Sequence, residues 1–351
     1  MSIFGNRLAI ARKMAGLSLQ GLSDKMGGVV GRQALHKYEQ HEGLPNSRVL
    51  IALAQALNVP VDFFFAEPEI QVVLEHVDYR KKSGMTKTQQ AAIEEQCVEA
   101  LNRYLSLESI MQEEKEVSEF VFNKTVSDTD DVEAAAQQLR KDWELGDAPI
   151  PNVVAMLEDK GYKVIELNTD ANFDGLKAHA GRARVIGLNK NIEDVCRKRF
   201  TALHELAHHV LLFPSDMPER EKERLCHCFA GAVLFPKVQA RESMHNERFH
   251  FYLPELVMIK EYWGISIAAL FARAKNLGII SEHVHTKLMI GYNARKYREG
   301  EPGNFRGEEQ PLRFRQLLYR GLAEKIISFN EAASLTQKTV GELRNELDQL
   351  A

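Results

Sequence analysis

Apolar residues recur at helical spacing along most of this chain, beginning almost at once. Leu8, Ile10, Ala11 and Ala15 form one face that ends at Gly16, and Ser18 is placed to cap a second segment carrying Leu19, Leu22 and Met26, which stops at Gly27-Gly28. A third segment follows in GRQALHKYEQ, Ser47 is placed to cap a fourth in VLIALAQAL, and Val61-Asp62-Phe63-Phe64-Phe65 closes the block with an aromatic plug. The pattern predicts a small domain of five helices over residues 1–67.

Residues 68–85 alternate apolar and polar positions before a basic stretch, which predicts a strand and a loop. Thr86 to about Glu114 reads as one long helix with Ile93, Cys97, Leu101 and Tyr104 or Leu105 on one side. That side has two candidate partners, a second copy of the helix or the domain that follows. The run SDTDD leads into the helix VEAAAQQLRKDWEL, Pro149-Ile150-Pro151 opens another that ends at Gly161, and YKVIEL, ANFDGLKAHA and ARVIGLN read as three strands. Residues 221–235 and 264–277 are helical, residues 293–310 are charged and Gly-rich and read as a mobile loop, and the tail resumes helical periodicity. The expected fold is α+β and mostly helical: a helical domain at 1–67, a strand and long helix at 68–130, a domain with a small sheet at 131–290, and the loop with a C-terminal helical region at 291–351.

Composition narrows the setting. A chain of 351 residues with 44% hydrophobic content can bury two cores, and no run of about 18 apolar residues offers a membrane span. The N-terminus is charged where a signal peptide is apolar, so the expected location is the cytoplasm. Four cysteines, at 97, 196, 226 and 228, suit a reducing compartment better than a disulfide framework. Cys226, His227 and Cys228 do not read as a metal site, because adjacent helical positions diverge; the cysteines read as small buried hydrophobes. The net charge of -4 makes any nucleic-acid binding local, and residues 1–67 carry seven cationic against five anionic side chains.

That mildly basic block holds the parts of a helix-turn-helix: a first helix, a turn, and a second helix whose start reaches base edges. Gln20 opens the first helix, where it can hold a phosphate, and Arg32, Gln33 and His36 fall on the groove-facing side of the second, with Ala34, Leu35 and Tyr38 inward. Residues 4–65, through AGLSLQGLSDKMG, ALHKYEQ and LIALAQALNVPVDFFF, resemble the XRE family of Cro and phage-repressor type. The resemblance implies operator DNA as a partner, bound by a homodimer on a palindromic site. Gly27-Gly28 with Gly31 departs from the family by loosening the turn.

The segment RFTALHELAHHVLL contains HExxH. His204 and His208, four apart on a helix, share one face and can hold one ion, with Glu205 beside it as the general base toward a water nucleophile. Zinc bound this way needs a third protein ligand. Glu219, Glu221 and Glu223 are in range, and Glu223 leads an apolar-striped helix able to return antiparallel; Glu221 is the fallback. His209 falls off the ligand face.

RFTALHELAHHVLL and ERLCHCFAGAVLFP resemble the signature segments of the ImmA/IrrE family of zinc metallopeptidases, and the likeness extends over about residues 130–280. It implies a gluzincin-like zinc endopeptidase domain in which Glu223 completes the metal site, and limited cuts in a helix-turn-helix repressor, either a separate protein or this chain itself. Ala207 replaces the family's usual glycine and His227 its usual asparagine, which makes His227 a candidate hydrogen-bond donor or transition-state stabiliser. A strand such as Arg184 to Asn189 is expected to offer substrate a sheet edge. The other reading is a non-proteolytic regulator or antitoxin whose metallopeptidase-like domain senses a ligand, metal or partner.

Overall fold

The computed structural model describes residues 3–66, 70–81, 85–169, 173–245 and 247–350. The chain divides into two compact units: Met1–Glu75, Lys82–Lys115 and Leu312–Ala351 form one, and His76–Lys81 with Glu116–Pro311 form the other.

In the first unit, the N-terminal block folds as α1 (Ile3–Met14), α2 (Leu19–Lys25), α3 (Arg32–Glu39) and α4 (Ser47–Leu57). The fifth expected helix is a single 3-10 turn, Val61–Phe64, begun by Pro60 and too short for an α-helical ladder. Ser18 caps α2 by accepting from Gly21 N at 2.9 Å, as its position suggests. The cap of α4 is Asn46 rather than Ser47: Asn46 Oδ1 accepts from Val49 N at 3.0 Å, and asparagine serves at that position as well as serine. Phe4, Leu8, Leu22, Leu35, Leu53 and Phe64 fill the core, with the Phe4 and Phe64 rings 5.5 Å apart.

The long helix is α5 (Lys87–Met111), begun by a Thr86–Gln89 capping box. It packs on α1, where Glu99 receives a two-pronged bond from Arg7 at 2.8 and 2.9 Å with both side chains buried. Its other side is covered by the C-terminal helices α14 (Arg313–Ala323), α15 (Phe329–Thr336) and α16 (Val340–Leu350), through Tyr104, Leu107, Leu317, Leu318, Ala333 and Leu343. The apolar side of α5 is thus buried from within its own unit.

The second unit surrounds a four-stranded sheet made of β1 (Glu75–Lys81), β2 (Lys163–Leu167), β3 (Phe173–Ala180) and β4 (Ala183–Asn189), in the order β1-β3-β4-β2. β2 pairs parallel with β4, and β3 pairs antiparallel with β4 through the Gly181-Arg182 turn. The strand expected to present an edge therefore lies inside the sheet. Its five consecutive buried residues, Val185 to Asn189, suit an interior strand, and the edges belong to β1 and β2.

Around the sheet lie α6 (Thr129–Asp142), α7 (Val153–Asp159), α8 (Val195–Val210), α9 (Glu219–Leu234), α10 (Lys237–Met244), α11 (Leu253–Trp263), α12 (Ile267–Asn276) and α13 (Glu282–Ala294). α8 packs on β3 and β4, and α9 packs on α8 and α6. The segment read as a mobile loop is anchored by two buried carboxylates. Glu309 accepts from Arg199 at 2.5 Å and from the amides of Val153 and Val154 at 2.9 and 2.7 Å, and Glu301 pairs with Lys260 at 3.1 Å. Among the described residues no helix is long and apolar enough to cross a membrane.

Candidate functional site

α8 is buried along nearly its whole length, and its first turn is tied down from several sides. Asp194 caps it by accepting from Arg197 N at 3.1 Å. Arg199, fully buried, donates to Gly264 O at 3.1 Å, Ile150 O at 2.6 Å and Glu309. A helix held this firmly fixes whatever its next two turns carry.

Those turns carry His204 and His208, whose Nε2 atoms lie 3.1 Å apart, as side chains one turn apart on a helix allow. Glu223, near the start of α9, completes a triangle: its Oε2 is 3.2 Å from His204 Nε2 and its Oε1 is 3.1 Å from His208 Nε2. Among the described residues this is the one group of three His, Cys, Asp or Glu side chains whose ligand atoms lie close enough, within 4.8 Å of one another, to share an ion. Two ligands at zinc–nitrogen distance in tetrahedral geometry lie about 3.3 Å apart. The three separations are close to that figure, so the donor set and its spacing both fit zinc.

The electrostatics agree. Burial pushes the Glu223 carboxyl up, but hydrogen bonds with His204 and His208 overcome it and hold the group far below the usual carboxylate range. Burial likewise works against charge on His208, and it is outweighed by the bond to Glu223 and by the charges of Glu205, Glu223 and Asp78, so its pKa is raised. Glu221, the fallback ligand, turns to Arg224 instead, at 2.7 and 3.0 Å. Glu219 is exposed and faces Lys222 at 3.6 Å.

Glu205 is 1% exposed and faces β3. A Cβ at Gly175 would lie 2.8 Å from Glu205 Oε1 and 2.8 Å from Thr201 Cγ2, so the strand passes this carboxylate at a distance only glycine permits. His227 stands beside His204, ring centroids 4.4 Å apart, and its Nδ1–H donates to the Glu223 carbonyl at 2.6 Å. That bond places the proton of the neutral ring on Nδ1 and makes Nε2 its acceptor nitrogen. Cys226 Sγ lies 3.7 Å from His208 Nδ1, beside the nitrogen opposite the one that meets Glu223. Both Cys226 and Cys228 are buried.

His209 lies off the ligand face, between α8 and the sheet. Its Nε2–H donates to Val185 O at 3.0 Å, and its ring stacks on His179 at 5.2 Å. Burial lowers the pKa of His209 to about 3 and that of His179 to about 4, which keeps both rings neutral. His179 also meets His76 of β1 edge-on at 5.7 Å, and Asp78 of β1 accepts from Lys177 at 2.7 Å.

Gly175 and Asp78 were not singled out in the sequence, and Cys226 was read there only as a small buried hydrophobe. Nothing in ANFDGLKAHA marks its glycine, since the requirement comes from a helix distant in sequence.

In the first unit, Arg32, Gln33 and His36 are exposed together on α3, while Leu35 is fully buried and Ala34 and Tyr38 pack against the core. Gly27 and Gly28 have φ of 65° and 73°, left-handed values that glycine adopts without strain and that form the loosened turn before α3. Gly31 caps α3 through its backbone alone, and Ser23 Oγ holds the turn by donating to Val30 O at 2.7 Å. Gln20 is exposed in the first turn of α2, where its amide donates to Asp24 at 2.8 Å.

A four-helix block with an outward-facing third helix, joined to a mixed sheet carrying an HExxH helix, defines a two-part protein, a DNA-binding module with a peptidase-like module. Comparison with known families agrees. The family model described as helix-turn-helix matches residues 8–64, and that described as the IrrE N-terminal-like domain of the M78 peptidases matches residues 157–275. No curated protein and no solved structure matches the chain. The chain is a fusion of an XRE-type helix-turn-helix domain with an ImmA/IrrE-like domain.

Proposed function

We propose that this protein is a cytoplasmic transcriptional regulator whose ImmA/IrrE-like domain is a zinc-dependent endopeptidase making limited cuts in a repressor, either a separate helix-turn-helix protein or this chain itself. The observation that carries the reading is the convergence of His204, His208 and Glu223 from two helices onto one point, with Glu205 buried beside them.

In this reading His204, His208 and Glu223 hold the ion. A zinc ion held there would supply Lewis-acid polarisation of a carbonyl and would lower the pKa of a water toward neutral. Glu205 accepts the proton of the attacking water and returns it to the departing amine, and Gly175, having no side chain, leaves room for its carboxylate. His227 donates Nδ1–H to the Glu223 carbonyl, so it stabilises charge developing on the carbonyl oxygen only as an imidazolium, whose second proton on Nε2 makes that nitrogen a donor too. Cys226 Sγ accepts from His208 Nδ1–H and so fixes the tautomer in which Nε2 is free to bind metal.

The helix-turn-helix domain brings this chemistry to DNA. Arg32, Gln33 and His36 enter the major groove and Gln20 meets the backbone, with a homodimer spanning a palindromic operator. The test is to incubate zinc-loaded protein with candidate repressors, itself included, and follow cleavage by mass. Cleavage that stops with Glu205→Gln supports the proposal. Cleavage that persists in that variant rejects the assigned base, and no cleavage of any candidate favours the sensing regulator.

A further inference from the structure

We propose that β1 is a resident occupant of the peptide-binding edge of the peptidase-like domain, lying along β3 where an extended substrate would pair, so that the site opens only when this strand leaves. The inference rests on the peptidase reading above and adds to it how access is controlled.

An extended peptide reaches a site beside a sheet by adding to an edge strand, where main-chain hydrogen bonds supply affinity. The strand that passes Glu205 is β3, through Gly175. One neighbour of β3 is β4, and the other is β1. The opposite edge, β2, is two strands from β3, about 10 Å away at ordinary strand spacing, and lies beyond β4. A peptide pairing beside Glu205 therefore needs the position that β1 holds.

Side-chain directions place β1 over the same ground. Alternation along β3 puts Gly175, Lys177 and His179 on one face, and that face looks to α8, because Gly175 backs on Glu205 and His179 stacks on His209. From β1, Asp78 pairs with Lys177 at 2.7 Å and His76 meets His179 at 5.7 Å, so His76 and Asp78 share this face.

The strand is held in a way that lets it go. Its sequence, EHVDYRK, includes one aliphatic residue, Val77, which is only half-buried, and the Asp78 side chain is 62% exposed in its ion pair. Solvent reaches the Asp78 carboxylate and screens its pair with the largely buried Lys177, which weakens that attachment. Both ends of β1 run into the unit that carries the helix-turn-helix domain, Met1–Glu75 before it and Lys82–Lys115 after it. The strand is therefore tethered to that unit at both ends by the chain itself.

The test uses the full-length protein, wild type and two variants, each checked for folding by thermal melting. Val77→Pro removes a strand N–H, and Asp78→Lys sets a second lysine against Lys177. Amide hydrogen exchange over residues 173–180 and the anisotropy of a fluorescein-labelled peptide with the sequence of residues 73–81 report on the edge. The expected result in both variants is exchange at least ten-fold faster along β3 and peptide binding at least ten-fold tighter than in wild type. Wild-type exchange and wild-type binding in both folded variants overturn the proposal. Tighter peptide binding with no cleavage of any peptide sustains the role of β1 while rejecting the peptidase reading. Equal cleavage by all three proteins with unchanged binding rejects the role of β1 and leaves the peptidase reading in place.

Discussion

The backbone of Gly175 on β3 passes Glu205 on α8 so closely that a methyl group there would lie 2.8 Å from the carboxylate oxygen. Substitution by alanine must move either the strand or the carboxylate. Overpacking of this kind costs about 1–3 kcal/mol, and a displaced general base loses rate steeply with distance. Gly175→Ala is expected to bind zinc as wild type does, to melt a few degrees lower, and to cleave substrate at least about ten-fold more slowly. Metal analysis beside a single-turnover assay checks this; unchanged cleavage contradicts it.

Arg199 and Glu309 form a fully buried ion pair that joins the start of α8 to α7 and to the segment before α14. Removing one partner leaves the other charge without compensation, at a cost of about 3–5 kcal/mol. Glu309→Ala is expected to lower the unfolding free energy of the peptidase-like unit, measured by urea titration, by that amount. A shift under about 1 kcal/mol, within the range of an exposed pair, would show that the contact is dispensable.

His209 and His179 are held neutral when folded, with pKa values of about 3 and about 4 against an unperturbed 6.5. The folded values are depressed, so the unfolded chain takes up protons first as pH falls. Stability is therefore fully present above pH 6.5 and declines from there toward pH 4. For His209 the slope approaches about 1.4 kcal/mol per pH unit, and His179, more exposed, adds a smaller share. Denaturant titrations at a series of pH values should show this decline, and His179→Phe should make it shallower. An equal slope in that variant argues against the assignment.

On α3, Arg32 and Gln33 are exposed and Leu35 is fully buried. Arg32→Ala or Gln33→Ala should weaken operator binding by about 1–3 kcal/mol without lowering the melting temperature. Leu35→Ala should instead destabilise the domain by about 2–5 kcal/mol. Mobility-shift titrations beside thermal melts separate the two. Loss of stability in the surface variants would move these residues from recognition to structure.

Local patterns were legible in the sequence, and long-range arrangements were not. The nearness of His204 and His208 follows from helical geometry alone, and the return of Glu223 follows from one turn and one apolar stripe, Cys226, Phe229, Ala230 and Val233. Strand order depends on pairings no local pattern records, so β4 read as an edge although it lies inside the sheet. The charged, Gly-rich residues 293–310 read as mobile because the partners of Glu301 and Glu309 lie far away, at Lys260 and Arg199. α10, α11 and α13 were passed over: Pro236 and Ser281 do mark two of the starts, but α10 has few apolar positions and α13 buries only Tyr292 of those it has. Gly175 matters through a side chain thirty positions later.

Zinc content per chain, measured by inductively coupled plasma mass spectrometry on wild type, His204→Ala, Glu223→Ala and Glu205→Gln, tests the metal centre most directly. The account predicts about one zinc in wild type and in Glu205→Gln, and loss of most of it in the two ligand variants. Full zinc in His204→Ala and Glu223→Ala, or none in wild type purified with zinc present, would contradict it.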